Sequence, residues 1–539
     1  MKKVLLSSII SLTSICLFGQ ISFVNQSNLI GNFSDSSECA VDMNGDNLDD
    51  YVRISSNGIG IDYQQADGTF ESVMYSMAIQ NVPDWSIAAG DLDGNGYNDL
   101  VLGNSSRVSF LMANENGTDY TEDASHNEYI FSQRSTMADI DNDGDLDSFV
   151  CHDVDLSHPY RNDGNGNMTL DQDLIETIDL PGNYAAIWVD YDNDGDTDMY
   201  LTKCRGGSSP GDPERDNAMY TNNGDGTFTE NAEAIGMKDN AQSWATVFED
   251  FDNDGDFDAF IVNHDFQNRL MENDGTGNYK DIIATSGIDP IDLGAWENQA
   301  ADFNNDGFVD IFSEMQRELY INNGDMTFTA MDLSFDEGAI ADLNNDGFLD
   351  IVNDGQLWIN EGNSGNNWVK VILKGTDSNL NGIGARIDIY GAWGKQMREI
   401  RSGQGFSHMN SLSAHFGIGS STAIERMVIT WPSGTVDEIE NPDINTLQEV
   451  EEGSSPLSIE NNELEIITIY PNPASSTLNF SKKGMKNTLV QIVDITGKII
   501  LSTKISSENN LNIEALNSGV YFAHLKIEQQ NLSYRFVKK

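Results

Sequence analysis

The sequence is poor in basic residues: 29 lysines and arginines stand against 87 aspartates and glutamates, which gives a formal net charge of −58. Nucleic-acid binding needs a basic surface that contacts phosphates, so this composition excludes it as a main role. It also argues against docking on an anionic membrane surface. The acidic excess leaves cations, neutral glycans and basic proteins as the expected partners.

Cysteines and long apolar segments are also scarce. Four cysteines in 539 residues exclude a disulfide-based scaffold. Cys151 and Cys204 follow equivalent acidic segments, and we expect them either to pair or to remain buried free thiols. The apolar run at residues 4–18 follows two lysines and is shorter than a membrane span. Residues 1–19 are therefore predicted to be a secretory signal peptide, and no transmembrane span is expected.

What the sequence does contain is a repeat. Seven nine-residue segments share the pattern D-x-[DN]-x-[DN]-[GN]-x-x-D, and their starts lie between 40 residues (Asp302 to Asp342) and 60 residues (Asp190 to Asp250) apart. Side-chain oxygens at positions 1, 3, 5 and 9, with the main-chain carbonyl of position 7, can surround a hard cation with the oxygen ligands that calcium prefers. So many carboxylates in nine residues repel one another unless a cation is present. The pattern predicts up to seven Ca²⁺ ions.

The predicted calcium ligands are taken from positions 1, 3, 5, 7 and 9 of every loop. They are Asp42, Asn44, Asp46, Leu48 and Asp50; Asp91, Asp93, Asn95, Tyr97 and Asp99; Asp139, Asp141, Asp143, Asp145 and Asp147; Asp190, Asp192, Asp194, Asp196 and Asp198; Asp250, Asp252, Asp254, Asp256 and Asp258; Asp302, Asn304, Asp306, Phe308 and Asp310; and Asp342, Asn344, Asp346, Phe348 and Asp350.

Two other positions refine this prediction. Position 6 is glycine in six loops and Asn47 in the first, which indicates a left-handed turn. Position 12, where an EF-hand has a bidentate acid, is not acidic in any of the seven segments. Asp49, at position 8 of the first loop, lies outside the ligand set. Its substitution by alanine is expected to change neither calcium binding nor stability.

Short runs typical of β-strands flank each loop, so each loop is predicted to be a hairpin turn. A second hairpin follows, with a polar glycine turn such as Asn322–Gly324. Four strands per repeat indicate a propeller blade, and residues 20–363 are predicted to form a seven-bladed β-propeller. Residues 23–31 match the frame that follows the outer hairpin at 228–236 and 279–287. We therefore expect the N-terminal strand to complete the seventh blade.

These repeats resemble the FG-GAP/VCBS repeats of integrin-type propellers. The resemblance implies calcium in the first hairpin of each blade, a structural role for it, and ligand contacts made by loops on a face of the disc. The Phe-Gly and Gly-Ala-Pro signatures of integrin repeats are absent, so an integrin-like ligand is not expected.

A different pattern begins near residue 364. Gly382–Arg386, Gly403–Phe406, His415–Gly419 and Trp431–Gly434 follow in order. Together they resemble the ASPIC/UnbV domain of the cartilage acidic protein family, over residues 364–452. The resemblance implies a β-rich domain, extracellular calcium binding and association, and no catalytic residues.

Five basic side chains of this region were considered as a separate site. His408 and His415 are expected to be structural hydrogen-bonding residues rather than a base or ligand pair. Arg386, Arg398 and Arg401 are expected on solvated strand faces, with a basic patch for acidic glycans as the alternative.

A linker at 453–463 leads to the last region, 464–539, which contains Tyr470–Pro473 and Leu516–Phe522 and ends in Arg535–Lys539. It resembles the type A sorting domain of the Bacteroidota type IX secretion system. The resemblance implies a small Ig-like β-sandwich, the type IX machinery as a partner, and a secreted or outer-surface location.

The function expected from these features is that of a secreted or cell-surface calcium-binding adhesion or interaction protein, with an extracellular glycan or protein as ligand. No catalytic residue and no organic cofactor are assigned. The alternative is a carbohydrate-active enzyme, a polysaccharide lyase or hydrolase, on a calcium propeller. Its candidate bases would be His126, His152, His158 and His264, but the propeller has few basic side chains to neutralise a uronate.

Overall fold

The computed structural model describes residues 21–34, 36–291, 296–313, 317–362, 365–455, 469–481, 488–494, 498–505, 510–527 and 530–539. It is almost entirely β-structure, and the chain divides into two compact units at Pro456 and Leu457. The predicted signal peptide (1–19) and most of the predicted linker (453–463) lie outside the described residues. The domain limits drawn from the sequence remain predictions.

Seven sheets of four antiparallel strands occupy residues 23–360. We number them blades 1 to 7 in chain order. The strands are β1 (Phe23–Asn25); in blade 1, β2 (Ser37–Val41), β3 (Asp50–Ser55), β4 (Gly58–Gln64) and β5 (Phe70–Ser76); in blade 2, β6 (Ser86–Gly90), β7 (Asp99–Gly103), β8 (Val108–Ala113) and β9 (Tyr120–Asp123); in blade 3, β10 (Ser132–Ala138), β11 (Asp147–His152), β12 (His158–Arg161) and β13 (Thr169–Leu170); in blade 4, β14 (Asn183–Val189), β15 (Asp198–Lys203), β16 (Ala218–Asn222) and β17 (Phe228–Glu230); in blade 5, β18 (Ser243–Glu249), β19 (Asp258–Asn263), β20 (Arg269–Asn273) and β21 (Tyr279–Asp281); in blade 6, β22 (Asn298–Ala301), β23 (Asp310–Ser313), β24 (Glu318–Asn322) and β25 (Phe328–Asp332); and in blade 7, β26 (Ala339–Ala341), β27 (Asp350–Asn353) and β28 (Gln356–Asn360).

The first two strands of every blade are joined by one of the acidic loops, as the sequence predicts. In blades 1 to 6 the polar glycine turn joins the last two strands. Single-turn helices follow the outer strands of blades 4 and 5: α1 (Ala232–Ile235) and α2 (Ile283–Ser286). Each ends at a left-handed glycine, Gly236 or Gly287, which explains the glycine in the shared frame after the hairpin. Short 3-10 helices occur at Ser27–Leu29 and Pro213–Arg215.

Blade 7 is completed by the N-terminal strand, which confirms the prediction. β1 pairs antiparallel with β28, with Phe23 opposite Asn360. Phe23 makes edge contacts with Phe303 of blade 6, at 5.8 Å between ring centroids, and with Phe335, at 5.2 Å. The first strand of each blade forms the inner edge, and β26 of blade 7 contacts β2 of blade 1. The ring is therefore closed by hydrogen bonds between the two ends of the repeat region.

Residues 368–451 form a second set of sheets. β33–β29–β36 and β31–β30–β34–β35 are two separate sheets, and β32 lies apart from both. The strands are β29 (Trp368–Lys374), β30 (Arg386–Gly391), β31 (Gly394–Glu399), β32 (His408–Met409), β33 (Ala414–Gly417), β34 (Arg426–Thr430), β35 (Val436–Glu440) and β36 (Leu447–Glu451). We call residues 365–455 the cap.

The cap and the propeller share one hydrophobic core. Val371, Ile387 and Trp431 of the cap belong to the same buried cluster as Val41 and Ile87 of blades 1 and 2. The sequence predicts two successive domains, but the structure shows one compact unit up to Pro456. Sequence motifs identify each region without showing which faces they bury against one another.

The second compact unit contains two sheets, β37–β38–β41 and β40–β39–β42–β43. Leu478 and Phe480 of the first sheet pack with Ile492 and Phe536 of the second, as expected for a small β-sandwich. The strands are β37 (Ile469–Tyr470), β38 (Thr477–Phe480), β39 (Leu489–Asp494), β40 (Ile499–Lys504), β41 (Asn510–Asn512), β42 (Gly519–Ile527) and β43 (Gln530–Lys538).

Ring closure generates the first prediction. Deleting residues 21–31 removes β1 and exposes the edge of β28, so the protein should melt at a markedly lower temperature or aggregate. Phe23→Ala should lower the melting temperature to a smaller extent, because it removes the aromatic contacts but keeps the strand. Leu29→Ala, at a side chain that is 41% exposed, is the control. A deletion variant with an unchanged thermal unfolding curve would contradict this account of closure.

Candidate metal-binding loops

All seven loops fold in the same way around the aspartate at position 1. Its carboxylate accepts hydrogen bonds from the backbone N–H groups of later loop residues, including the N–H of position 6. In the fifth loop, Asp250 accepts from Asp254 at 3.0 Å and from Gly255 at 3.1 Å. The equivalent bond from position 6 is present in each of the other loops, to Asp42, Asp91, Asp139, Asp190, Asp302 and Asp342.

Each loop contains two left-handed residues, at positions 4 and 6, whereas the sequence pattern predicts only the one at position 6. Position 6 has a positive φ in all seven loops, from 68° at Asn47 to 100° at Gly255 and Gly307, as predicted. Position 4 is also left-handed, and it is always glycine or asparagine. These residues are Gly45, Gly94, Asn142, Asn193, Asn253, Asn305 and Asn345. The restriction of position 4 to asparagine and glycine indicates this second left-handed residue, since these two residue types adopt that conformation most readily.

The aspartate at position 9 is buried in every loop, with at most 2% of its surface exposed. In the sixth loop, Asp310 accepts one hydrogen bond from the N–H of Phe303, at position 2, and one from the N–H of Asn322, on the third strand of the blade. Equivalent pairs of bonds occur in all seven blades. The first position of strand two is thereby tied both to its own loop and to the third strand.

The asparagine at the end of the third strand connects neighbouring blades. The side-chain amide of Asn322 in blade 6 donates to the carbonyl of Phe251 in the loop of blade 5, at 2.7 Å. Its Oδ1 accepts from the N–H of Gly324 in its own turn. Asn162, Asn273 and Asn360 make the same two kinds of bond. The sequence pattern places these asparagines in turns, but it does not indicate their hydrogen bonds to the neighbouring blade.

Burial raises the pKa of the aspartates at positions 1 and 9 of the loops, and neighbouring carboxylates raise it further. The pKa is raised to about 6 for Asp91, to about 7 for Asp250 and to about 9 for Asp198. For Asp310 and Asp350 it is raised well above the ordinary value by the same causes. The backbone N–H bonds act in the opposite direction. The charged form of these groups is therefore disfavoured unless a cation is nearby.

Several carboxylate oxygens in the loops are buried without a hydrogen-bond partner. They are Oδ1 of Asp141 and of Asp192, both at position 3, and Oδ1 of Asp256 at position 7. In the second to fifth loops, three carboxylates each present an oxygen within 4.8 Å of the other two; in the second these are Asp91, Asp93 and Asp99. The first, sixth and seventh loops have asparagine at position 3 and offer an amide oxygen there. An all-oxygen cluster of this kind fits a hard divalent cation.

Asp49, whose substitution was expected to have no effect on calcium binding or stability, forms a buried ion pair. Its carboxylate accepts from Lys370 Nζ at 2.6 Å and from Ser411 Oγ at 2.7 Å, and both charged side chains are at most 5% exposed. The expectation was wrong because position 8 points to the cap, a contact that the loop pattern does not encode. Removing Asp49 would leave the Lys370 ammonium buried without this partner.

The cap lies on the loop side of the propeller and contacts all seven loops. Asn47 donates to Glu449, Asn381 accepts from the N–H of Asp91, and Glu399 accepts from the N–H of Asp190. A Cβ at position 6 of loops 3, 5, 6 and 7 would meet the cap; at Gly347 it would lie 1.8 Å from the Trp368 ring. These glycines are thus needed for close approach as well as for φ.

One segment of the cap, residues 400–412, enters the centre of the ring. β32 pairs in parallel with β2, the inner strand of blade 1. Ser402 Oγ donates to the carbonyl of Ala89 in blade 2, and Asn410 donates to Gln299 in blade 6 at 2.7 Å. A Cβ at Gly403 would lie 2.2 Å from the Ser135 carbonyl oxygen of blade 3. The glycines of this motif therefore allow backbone-to-backbone packing against the inner strands.

Arg398 and Arg401 of the cap are buried at the interface with the propeller, so both alternatives were wrong for these two arginines. Arg398 and Arg401 are 8% and 7% exposed, and Arg401 donates to the Phe248 carbonyl of blade 5. Arg386 pairs with Asp388 and contacts Asn193 in the fourth loop. His415 bonds Asn305 Oδ1 at 2.7 Å, as expected of a structural residue. Burial lowers the pKa of His408 and of His415 to about 3, which keeps both neutral.

The remaining candidates do not form a shared site with the loops. Of the four propeller histidines, His126 and His158 pack edge-on against Tyr160, and His152 packs against His158. Burial lowers the pKa of His158 to about 4. The fourth, His264, stacks on Trp244. Cys39, Cys151 and Cys204 are buried free thiols, which decides between the two alternatives left open for Cys151 and Cys204.

Three regions match known families. Residues 42–102, 91–150, 207–261 and 250–313 match the FG-GAP-like repeat, residues 375–457 match "ASPIC and UnbV", and residues 468–539 match the secretion system C-terminal sorting domain. The chain therefore carries the three kinds of region that the sequence motifs predict. The sorting domain indicates export by the type IX system, to the cell surface or beyond it. None of the helices in the described part of the chain is long and apolar enough to span a membrane.

Curated relatives match part of the chain. Cartilage acidic protein 1 of Mus musculus is 27% identical over 268 residues, which cover 43% of this chain and 41% of the mouse protein. The protein of that name from Homo sapiens is 27% identical over 250 residues, which cover 40% and 37%. The chain thus spans about two fifths of the length of these relatives.

Two solved structures share the β-rich architecture only loosely. The extracellular domain of BT4673 from B. thetaiotaomicron has a TM-score of 0.39 and 8% identity, over 97% of this chain and 59% of that one. The V. cholerae biofilm matrix protein Bap1 has a TM-score of 0.29 and 11% identity, over 96% and 84%. At these scores neither likeness supports a functional argument.

The raised pKa values predict how stability depends on pH without metal. The unfolded aspartate has a pKa of about 3.9, and the aspartates at positions 1 and 9 of the loops hold their protons to higher pH in the folded state. Stability of the metal-free protein should therefore fall as pH rises from about 4 to about 9. Calcium favours the charged carboxylates and should flatten this dependence. Melting temperatures across this range, with and without calcium, test it; a metal-free curve that rises with pH would contradict it.

The hydrogen bond from Asn322 to the neighbouring blade predicts an effect on stability. Asn322→Ala leaves the carbonyls of Phe251 and Val309 without their side-chain donor and should cost about 1–3 kcal/mol of unfolding free energy. Its neighbour Asn323 is exposed and bonds only within the turn, so Asn323→Ala is the matched control. Denaturant unfolding measures both. Equal losses for the two variants would mean that the contact between blades contributes nothing specific.

Proposed function

We propose that this chain is a secreted or cell-surface calcium-binding interaction protein in which calcium holds the propeller and the cap together. The observation that carries the proposal is the set of buried carboxylate oxygens without hydrogen-bond partners, at Asp141, Asp192 and Asp256. Each lies in a loop whose backbone already points its N–H groups at other carboxylate oxygens. A cation is the group that would satisfy the remaining oxygens.

Calcium fits these loops better than other common metals. The predicted ligands are carboxylates, amides and a main-chain carbonyl, which suit hard cations, and they include no histidine or cysteine for zinc or copper. Magnesium requires a small octahedral site and gives up its waters reluctantly, whereas calcium accepts six to eight oxygens in flexible geometry. Outside the cell, calcium is expected at concentrations that match weak sites of this kind.

A structural role follows from where the loops lie. All seven are beneath the cap, and residues of the first, second, fourth and sixth loops form hydrogen bonds with it. At ten times its dissociation constant, each bound ion adds about 1.4 kcal/mol to the stability of the folded state. Several such ions would contribute as much as the net stability of an ordinary domain. We propose that calcium couples propeller folding to cap docking.

Binding rather than catalysis remains our proposal for the biological activity. The histidines that would serve a lyase or hydrolase support it, because His152 and His158 are buried in blade 3 and His126 packs against Tyr160. His152 Nδ1 accepts backbone N–H bonds from Phe131 and Val154. A neutral, buried imidazole engaged in this way suits a structural role better than that of a general base.

Substitution of single ligands tests the proposal. Asp192→Asn keeps the shape of the side chain and removes its charge, so it should weaken calcium binding in one loop and reduce the gain in melting temperature on adding calcium. Asp258→Ala should do so more strongly, since it also removes two backbone hydrogen bonds. Asp332→Asn, at an exposed site on β25, is the control. If all three variants bind and respond to calcium like the unmodified protein, the loops are not calcium sites.

A further inference from the structure

The face of the propeller opposite the cap carries the exposed apolar side chains of this unit. In every blade the start of the first strand pairs with the end of the second, as Asn183 does with Lys203, so these ends lie opposite the acidic loop. The connections between the second and third strands, and between blades, lie on this side. Among the described residues up to 455, every large apolar side chain that is highly exposed is in such a connection: Leu29, Tyr129, Val154, Ile178, Phe266, Ile291 and Trp296.

A cavity of about 550 Å³ opens at the centre of this face. Five aromatic side chains surround it, each at the start of the inner strand of blades 2 to 6: Trp85, Phe131, Tyr184, Trp244 and Trp296. Phe406, from the cap segment that enters the ring, completes the aromatic wall. The volume of the cavity lies within the range of ordinary ligand sites.

The aromatic rings form a packed group. Trp244 stacks on Trp296 with ring centroids 5.0 Å apart, and on His264 at 5.6 Å. Tyr184 and Phe406 lie 5.1 Å and 5.9 Å from Trp244. Trp244 thus packs against four neighbouring rings, whereas Trp296 is half exposed. The wall is preorganised, so a ligand would lose little free energy in ordering it.

The polar part of the wall is acidic. Its charged side chains are Asp153, Glu297, Asp336, Glu337 and Asp354, and no lysine or arginine is among its lining residues. Arginines outside the wall pair with three of these acids: Arg205 with Asp153, Arg134 with Glu297 and Arg317 with Asp336. Asp354 is exposed at the cavity. The lining therefore provides hydrogen-bond acceptors and negative charge but no cationic donor.

We propose that this cavity binds an arginine or lysine side chain of a protein partner, whose apolar surface covers the exposed residues around it. A guanidinium or ammonium group can lie against the aromatic rings and donate to the carboxylates, while its aliphatic stem contacts the apolar wall. The acidic lining repels phosphate, sulfate and uronate groups. Aromatic and arginine side chains are the usual anchors of protein interfaces, and a ring of exposed apolar residues suits a protein better than a free amine.

This inference rests on the proposed role in binding, but not on calcium. A neutral saccharide is the competing occupant, since it too stacks on aromatic rings and bonds to carboxylates. It differs in needing no positive charge and gaining nothing from the apolar residues beyond the cavity. Charge on an otherwise matched probe therefore separates the two.

The experiment uses the full mature chain and titrates it with N-acetyl-arginine amide, with the uncharged isostere N-acetyl-citrulline amide, and with methyl glucoside. Binding is followed by tryptophan fluorescence and by calorimetry. The arginine probe should bind at least tenfold more tightly than the citrulline probe, and raising the salt concentration should weaken it. Equal binding of the two amides, binding of the glucoside alone, or no binding of any probe would overturn the proposal.

Variants locate the binding site. Trp296→Ala and Asp354→Asn should each weaken arginine binding at least tenfold. Tyr129→Ala is the matched control, because Tyr129 is an exposed aromatic side chain on the same face but outside the cavity lining. If the control weakens binding as much as the other two, the site is elsewhere. Repeating the titration in calcium and in chelator separates the two proposals: arginine binding by a protein whose loops take up no calcium would refute only the calcium role.

Discussion

The fold depends on one buried interaction repeated seven times. The carboxylate at position 9 of each acidic loop receives an N–H from its own loop and another from the third strand of its blade, as Asp310 does from Phe303 and Asn322. These bonds shape the loop, but they gather several carboxylates in a region where burial raises their pKa. The same geometry that orders each blade therefore creates a demand for positive charge, which a calcium ion would meet.

The cap connects the seven acidic loops, which are otherwise features of separate blades, within one compact unit. It lies over all seven loops, and its segment 400–412 inserts between the inner strands of several blades. The side of the propeller that holds the acidic loops is therefore occupied by the chain itself. A partner would have to use the opposite side, where the exposed apolar residues and the aromatic cavity lie. In the arrangement that we propose, calcium would support the scaffold, and recognition would be a separate task of the face opposite the cap.

Much of this architecture could be predicted from the sequence, because it is encoded locally. The loop pattern and the left-handed residue at position 6 lie within single repeats. The closing strand β1 could be recognised from the frame at 23–31 that two other repeats share, and each of these features was found where expected. Asp49, Arg398 and Arg401 were misjudged because their partners belong to regions hundreds of residues or several blades away. The aromatic wall was missed for a related reason: Trp85, Tyr184 and Trp244 are each one side chain at a strand start, and only ring closure brings them together.

The most direct test of the central claim is a count of bound metal. Mature protein dialysed against millimolar calcium, then passed into metal-free buffer and analysed by inductively coupled plasma or native mass spectrometry, should retain several calcium ions, up to the seven that the loops predict. Chelation should remove them and lower the melting temperature sharply. A protein that carries no calcium after this treatment, with a melting curve that chelator leaves unchanged, would show that the loops are stabilised by hydrogen bonds alone and would contradict the account.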